Sequence, residues 1–248
     1  MIMQRIKCVM SYDGTNFSGF QIQPKQRTIH GEIERALKKV HKGRMIRIQS
    51  SGRTDAGVHA KGQVFHFDTD LPLESYEWKK ILNALLPDDT YVHTVSAVCD
   101  EFHARYSAKE KEYRYYVYNH PERCVFKNNY SHFYPYELNV EAMQVACQSF
   151  EGTHDFTTFS SAKSSVKGDK IRTLYEVSCT EEGPYIMFKL RGSGFLYTMA
   201  RTIVGALLDV GNNRLASETI DQLFAEKDRT RVGKAAPSEG LYLWEVIY

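Results

Sequence analysis

The period of the hydrophobic pattern changes along the chain, and each change marks an element. Residues 5–12, Arg5-Ile6-Lys7-Cys8-Val9-Met10-Ser11-Tyr12, read as a strand stopped by the turn pair Asp13-Gly14. After Thr28 the spacing lengthens: Ile29, Ile33, Ala36, Leu37 and Val40 recur at helical intervals, with Arg35, Lys38, Lys39 and Lys42 between them. Residues 45–49 and 62–68 predict strands, Trp78, Ile81, Leu82 and Leu85 a second helix ended by Pro87, and residues 90–98 a further strand. The order βαββαβ is the split-βαβ, or ferredoxin-like, plan.

A second series begins at residue 110. The strand 110–118 places Tyr113, Tyr115 and Val117 on one face and Arg114, Tyr116 and Tyr118 on the other. Residues 140–150 predict a helix, and 171–179 with 185–191 a hairpin about Glu182-Gly183. A long helix from Phe195 follows, with Leu196, Met199, Ile203, Leu207 and Val210 as its core face. A short helix at 218–225 and a strand at 241–247 complete the pattern. The expectation is an α+β protein of two ferredoxin-like halves with mainly antiparallel sheets, divided into residues 1–105 and 106–248.

Composition narrows the class. A chain of 248 residues that is 42% hydrophobic can bury a substantial core, which excludes a disordered tail or a miniature scaffold. The net charge of +2 conceals an asymmetry: residues 1–60 carry 11 Lys+Arg against 4 Asp+Glu, a surplus of +7, leaving −5 for the remainder. Such a basic region suits a polyanionic partner. Five widely spaced cysteines without a C-x-x-C pair suit a reducing, cytoplasmic setting. Arg5 and Lys7 interrupt any signal-like N-terminal run, and no later run reaches the roughly 18 apolar residues of a membrane span.

The candidate chemistry centres on Ser51-Gly52-Arg53-Thr54-Asp55-Ala56-Gly57-Val58-His59-Ala60, a carboxylate beside an arginine in a glycine-bounded turn. Asp55 either hydrogen-bonds its own turn, as loop aspartates do, or serves as a carboxylate kept ionised for chemistry by a neighbouring guanidinium. Tyr113 lies in an aromatic strand and is either core or a platform on which an unpaired base stacks. Arg201 stands on the flank of the long helix, away from its leucines. That helix begins after Gly192-Ser193-Gly194, whose free backbone amides at its N-terminus can hold a phosphate. No phosphate-binding loop, zinc-deaminase signature or nucleophile elbow is present, and His59 and His66 lack metal-ligand spacing. Neither metal nor cofactor is expected.

These residues resemble the TruA family of tRNA pseudouridine synthases. The segment 51–60 is similar to the family's signature, and further blocks follow in the family's order. They are Tyr12-Asp13-Gly14-Thr15-Asn16-Phe17 with Gly19-Phe20-Gln21, Asn83-Ala84-Leu85-Leu86-Pro87, Phe102-His103-Ala104-Arg105, Lys111-Glu112-Tyr113-Arg114-Tyr115 and Phe150-Glu151-Gly152-Thr153-His154-Asp155-Phe156. Near the C-terminus come Gly194-Phe195-Leu196, Met199-Ala200-Arg201-Thr202-Ile203-Val204-Gly205, and Ala236-Pro237 with Gly240-Leu241-Tyr242-Leu243. Phe20 departs from the tryptophan common in the family but keeps an aromatic ring.

The resemblance implies an enzyme that isomerises uridine to pseudouridine at positions 38–40 of the tRNA anticodon stem-loop, without cofactor or metal. It further implies two halves around a basic central cleft and a homodimer. Asp55 matches the catalytic aspartate, Tyr113 the active-site tyrosine, Arg201 the arginine that pairs with the aspartate, and Arg53 a cleft arginine linked to RNA binding and base displacement. Two other readings use the same residues: a non-catalytic RNA-binding module, and an N-glycosidase that breaks the same bond and releases the base.

Overall fold

The computed structural model describes residues 3–161 and 169–248 of the chain. It divides into two compact units, Met1–Lys109 with Leu243–Tyr248, and Glu110–Tyr242. The described residues are mixed α+β, and their strands pair mostly antiparallel.

In the first unit, β1 (Gln4–Tyr12) buries alternate residues, which sends Ile6, Cys8, Met10 and Tyr12 inward. α1 (Ile29–Val40) starts where the Thr28 side chain accepts from Gly31 N, and it buries Ile29, Ile33, Ala36 and Leu37. β2 (Gln49–Ser50), β3 (His59–Thr69), α2 (Ser75–Leu85) and β4 (Thr90–Val98) follow. The strand order is β4-β1-β3-β2, antiparallel throughout. Trp78 of α2 is fully buried against Phe67 of β3 and the His41 ring at the end of α1.

The strand expected at 45–49 is reduced to β2. Glu34 of α1 explains this: its carboxylate accepts from Ile48 N at 3.3 Å and from Arg47 Nη1 at 2.7 Å, taking an amide that a ladder would use. Ile46 and Ile48 are still buried, so their apolar signal reported burial, not strand.

The unit also reaches beyond residue 105 and includes the last six residues. Lys109 N donates to Ile247 O at 2.8 Å, and Tyr248 Oη to Ala104 O at 2.7 Å. Gly62 lets this segment close on β3, because a methyl group there would lie 2.5 Å from Trp244 O.

The second unit holds β5 (Glu110–Asn119), β6 (His132–Tyr134), α3 (Val140–Gln148), β7 (Gly152–Asp155), β8 (Ile171–Glu182), β9 (Tyr185–Gly192), α4 (Met199–Gly211) and α5 (Thr219–Glu226). Its strand order is β5-β9-β8-β7, with β6 parallel to β5. The final strand, β10 (Leu241–Ile247), gives its first two residues to this unit and the rest to the other. The helix expected from Phe195 begins at Met199. Thr198 takes a left-handed φ of 61°, and Met199 N closes a turn onto Leu196 O at 3.1 Å. The α4 residues of the predicted core face, Met199, Ile203, Leu207 and Val210, are all buried, as is Leu196 in the turn before.

His66 of β3 yields a prediction for the first unit. It is 4% exposed, its Nδ1 accepts from Ala104 N at 3.1 Å, and burial with the nearby Arg5 lowers its pKa from 6.5 to about 4. The unfolded chain therefore takes up this proton before the folded one does. Stability contributed by neutral His66 is complete above pH 6.5 and falls as the pH drops towards 4. The expected loss at the acid end is of the order of 3 kcal/mol at about 1.4 kcal/mol per unit. Denaturant unfolding of the parent and His66→Gln at pH 7 and pH 4.5 should show a smaller acid-dependent loss in the variant; equal losses would remove His66 as the source.

Candidate active site

Asp55 lies in a loop held at nearly every neighbouring residue. Phe20 N donates to Thr54 O at 3.1 Å, Val58 N to Asp55 O at 3.2 Å and Gly57 N to Phe17 O at 3.4 Å. The segment after β1 thus runs directly against the loop, and two glycines permit it. A methyl group on Gly14 would lie 2.1 Å from Val58 O; one on Gly19, where φ is +89°, would lie 2.9 Å from Thr54 O. His59 closes the end of the loop by accepting from Gly14 N on Nδ1 at 3.0 Å. That bond gives it a structural task.

Beneath the loop is a buried polar network that the strand pattern did not reveal. Gln63 of β3 is fully buried, and its Oε1 accepts from Ser51 Oγ at 2.7 Å and Val64 N at 3.1 Å. Its Nε2 donates to Gly52 O at 3.1 Å and reaches Tyr12 Oη at 3.5 Å. Tyr12 Oη lies 2.8 Å from Thr54 Oγ1, and burial pushes its pKa up to about 12, so it remains a protonated hydroxyl. Only the block Tyr12-Asp13-Gly14 hinted at this. A glutamine in a strand reads as a solvent-facing residue until its neighbours Val64–Phe67 prove buried on both faces.

Arg53 and Asp55 differ in exposure. Arg53 is exposed, whereas Asp55 is half-buried. Residues 1–60 contain six arginines. Arg5 pairs with Asp68, Arg27 with Asp89 and Glu32, Arg35 with Glu32, Arg44 with Asp70, and Arg47 with Glu34. Among the described residues, Arg53 is the one arginine of this segment without a carboxylate partner in the protein. Lys38, Lys39 and Lys42 stand exposed at the end of α1.

In the second unit, Tyr113 of β5 is 8% exposed, and its ring meets Phe195 edge-on at 4.8 Å. Its ring is mostly buried, as the core reading of this strand expects. Arg201 is half-buried on α4, not solvated. Its Nε donates to Ala236 O at 2.7 Å, and Ala236 N donates back to Arg201 O at 2.9 Å. Gly205 admits this segment, since a methyl group there would lie 2.3 Å from Lys234 O. Tyr115, two residues from Tyr113 on the same face of β5, donates to Pro237 O at 2.9 Å and feels the Arg201 charge.

Gly192-Ser193-Gly194 does not open a helix, because α4 starts five residues later. Gly192 ends β9 against Leu174 and Thr173 O, and Ser193 N donates to Thr173 O at 2.9 Å. These residues finish a strand pair, so the phosphate-anchoring argument from a helix N-terminus fails for them. Among the described residues no group of three His, Cys, Asp or Glu side chains could hold a metal ion, and no helix is long and apolar enough to cross a membrane.

A family model described as tRNA pseudouridine synthase matches residues 8–107 and 146–248. The chain is 55% identical over 246 residues to a tRNA pseudouridine synthase A of Oceanobacillus iheyensis, covering 99% of this chain and 97% of that protein. It is 53% identical to one of Geobacillus kaustophilus, over 99% and 95% of the two chains. A tRNA pseudouridine synthase A 1 of Bacillus cereus is 51% identical over 99% of both.

The Gly14 contact is open to test. Gly14→Ala forces the Val58 backbone to move, an overpacking cost of about 1–3 kcal/mol. The thermal midpoint should fall by about 2–12 °C in a chain of this size, and the Gly57 and Val58 amides should exchange faster. An unchanged midpoint would mean that the loop yields at no cost.

Proposed function

The chain belongs to the tRNA pseudouridine synthase family, and from that premise we propose that Asp55 is the carboxylate with which it isomerises uridine to pseudouridine in tRNA. The observation that carries the proposal is the Asp55 loop itself: a half-buried carboxylate fixed from both sides by backbone bonds, next to an exposed arginine without a carboxylate partner among the described residues. A carboxylate merely completing its own turn would not need so much support.

The reaction breaks the bond from N1 to C1′, turns the uracil, joins C5 to C1′ and releases the C5 proton. Substrate and product are isomers, so the balance calls for no oxidant, reductant or group donor. The carboxylate either attacks C1′, as in retaining glycosidases, or removes a proton from C2′ to give a glycal. Both routes need an ionised, immobile carboxylate. In our reading Arg201 supplies the counter-charge in the catalytic state, held ready by Ala236. Tyr113 meets the flipped base and relays the C5 proton through its hydroxyl, whose own proton passes on to solvent as the new one is taken up, or orients the group that does. Arg53 meets a backbone phosphate and helps displace the base, at a cost of a few kcal/mol that phosphate contacts offset.

The finer assignment follows the resemblance: uridines 38–40 of the anticodon stem-loop, two ferredoxin-like halves lining a basic cleft, and a cytoplasmic homodimer. The five free thiols suit a reducing compartment.

The test uses tRNA carrying tritium at C5 of uridine. The parent should release tritium and yield pseudouridine; abasic sites would indicate a glycosidase, and binding without either change a passive module. Asp55→Asn should lose turnover by about 10²–10⁴-fold or more while tRNA affinity stays within about threefold, since phosphate contacts rest on other residues. Arg53→Ala should instead weaken binding and lower the salt slope by about one. Turnover surviving in Asp55→Asn at near the parent rate would remove Asp55 from the chemistry.

A further inference from the structure

We propose that Tyr12 and Gln63 are positioning residues for Asp55, acting through Ser51, Gly52 and Thr54; this rests on the reading of Asp55 as the catalytic carboxylate. The polarity of the network is forced by groups that cannot change roles. Val64 N–H can only donate and Gly52 C=O can only accept, so the Gln63 carboxamide has one allowed orientation. Ser51 must then donate its hydroxyl proton to Oε1, and Tyr12 must receive from Nε2. The same Tyr12 hydroxyl is hydrogen-bonded to Thr54 Oγ1, at 2.8 Å. The chain of bonds runs unbroken from the strand to the residue next to Asp55.

Thr54 is consequently held at two atoms. Its carbonyl accepts from Phe20 N at 3.1 Å, and its hydroxyl is hydrogen-bonded to Tyr12 Oη at 2.8 Å. The first bond sets how far the loop stands from the 12–20 segment, and the second sets its rotation about that contact. Together they determine the direction in which the following residue leaves. Gln63 fixes the loop's other end by holding Ser51 and Gly52. A loop free to rotate at residue 54 would still fold and still bind RNA, but the carboxylate would spend less time aligned with the sugar. Reaction rates respond steeply to such misplacement.

Tyr12→Phe keeps the buried ring and removes the hydroxyl. It should lower kcat about tenfold, the scale of sub-ångström misalignment, with KM for tRNA within about twofold. The thermal midpoint should move by only about 2–4 °C. Thr54→Val breaks the same bond from the other side and should have the same effect, and Thr54→Ser should restore most of the rate. The double variant Tyr12→Phe with Thr54→Val should be no slower than the slower single one, because both remove one interaction. Gln63→Glu, which cannot donate to Gly52 O, should slow turnover further. Single-turnover tritium release measures all of these, with Asp55→Asn run in parallel. An inactive Asp55→Asn beside a Tyr12→Phe or Thr54→Val at full kcat overturns the positioning role and leaves the carboxylate standing. Losses confined to KM overturn it as well. Turnover in Asp55→Asn at the parent rate removes the reading on which the role rests.

Discussion

The backbone approach at Gly14 constrains the architecture of the first unit. No side chain fits between Gly14 and Val58 O, so the segment leaving β1 and the loop carrying Asp55 meet main chain to main chain. Backbone polar groups in such a contact need partners within it. The pairs Phe20 to Thr54, Gly57 to Phe17, and Gly14 to His59 supply them. What remains on the buried side is met by Gln63. A neutral hydrogen bond contributes about 1 kcal/mol net, whereas a buried group left without one costs about 1–3 kcal/mol. The network is therefore worth more as a constraint than as a source of stability: an apolar core residue at 63 would remove one hydrogen bond each from Gly52 O and the Ser51 hydroxyl.

The second unit solves a similar problem with other residues. Gly205 allows the 234–236 backbone to reach α4, and there Ala236 bonds Arg201 at both main chain and side chain. Gly240 lies against the Tyr115 ring, which a methyl group would meet at 2.6 Å, and the Tyr115 hydroxyl ties back to Pro237. In both units the segment that carries a candidate residue is held by a neighbouring segment that a glycine has admitted. Fixed side chains lose little entropy on engaging substrate, and this suits chemistry in which the protein supplies orientation and charge.

Periodicity made most of the elements legible, because burial on one face leaves a repeating trace. The strands at 90–98 and 241–247 have the expected bounds, and Tyr113, Tyr115 and Val117 are the buried face of β5. The signal misled where a side chain replaced a backbone partner. Residues 46 and 48 are apolar and buried, yet Glu34 takes the ladder's place. It also misled where one residue's φ overrode composition: the stretch from Phe195 reads as helix until Thr198 turns left-handed. Asp55, Tyr113 and Arg201 stand out as candidates only through their motifs. Gln63 was not, because a single polar residue in a strand carries no mark of which partners its amide will find.

Charge was legible as a sum but not as a distribution. A surplus of +7 in residues 1–60 suggests a diffuse basic surface. The fold redistributes it, since five of the six arginines are bound to carboxylates, several of them from beyond residue 60, such as Asp68, Asp70 and Asp89. Guanidinium groups held this way orient elements of the unit and contribute little field at a distance. The charge available to a polyanion is left to exposed lysines and to Arg53. A lysine attracts phosphate as a mobile point charge, whereas an arginine offers a planar fork that can fix a phosphate or stack on a base. Among the described residues of 1–60, the one arginine without a carboxylate partner stands two residues before Asp55, so on the proposed reading the group best suited to orient RNA lies next to the carboxylate that acts on it.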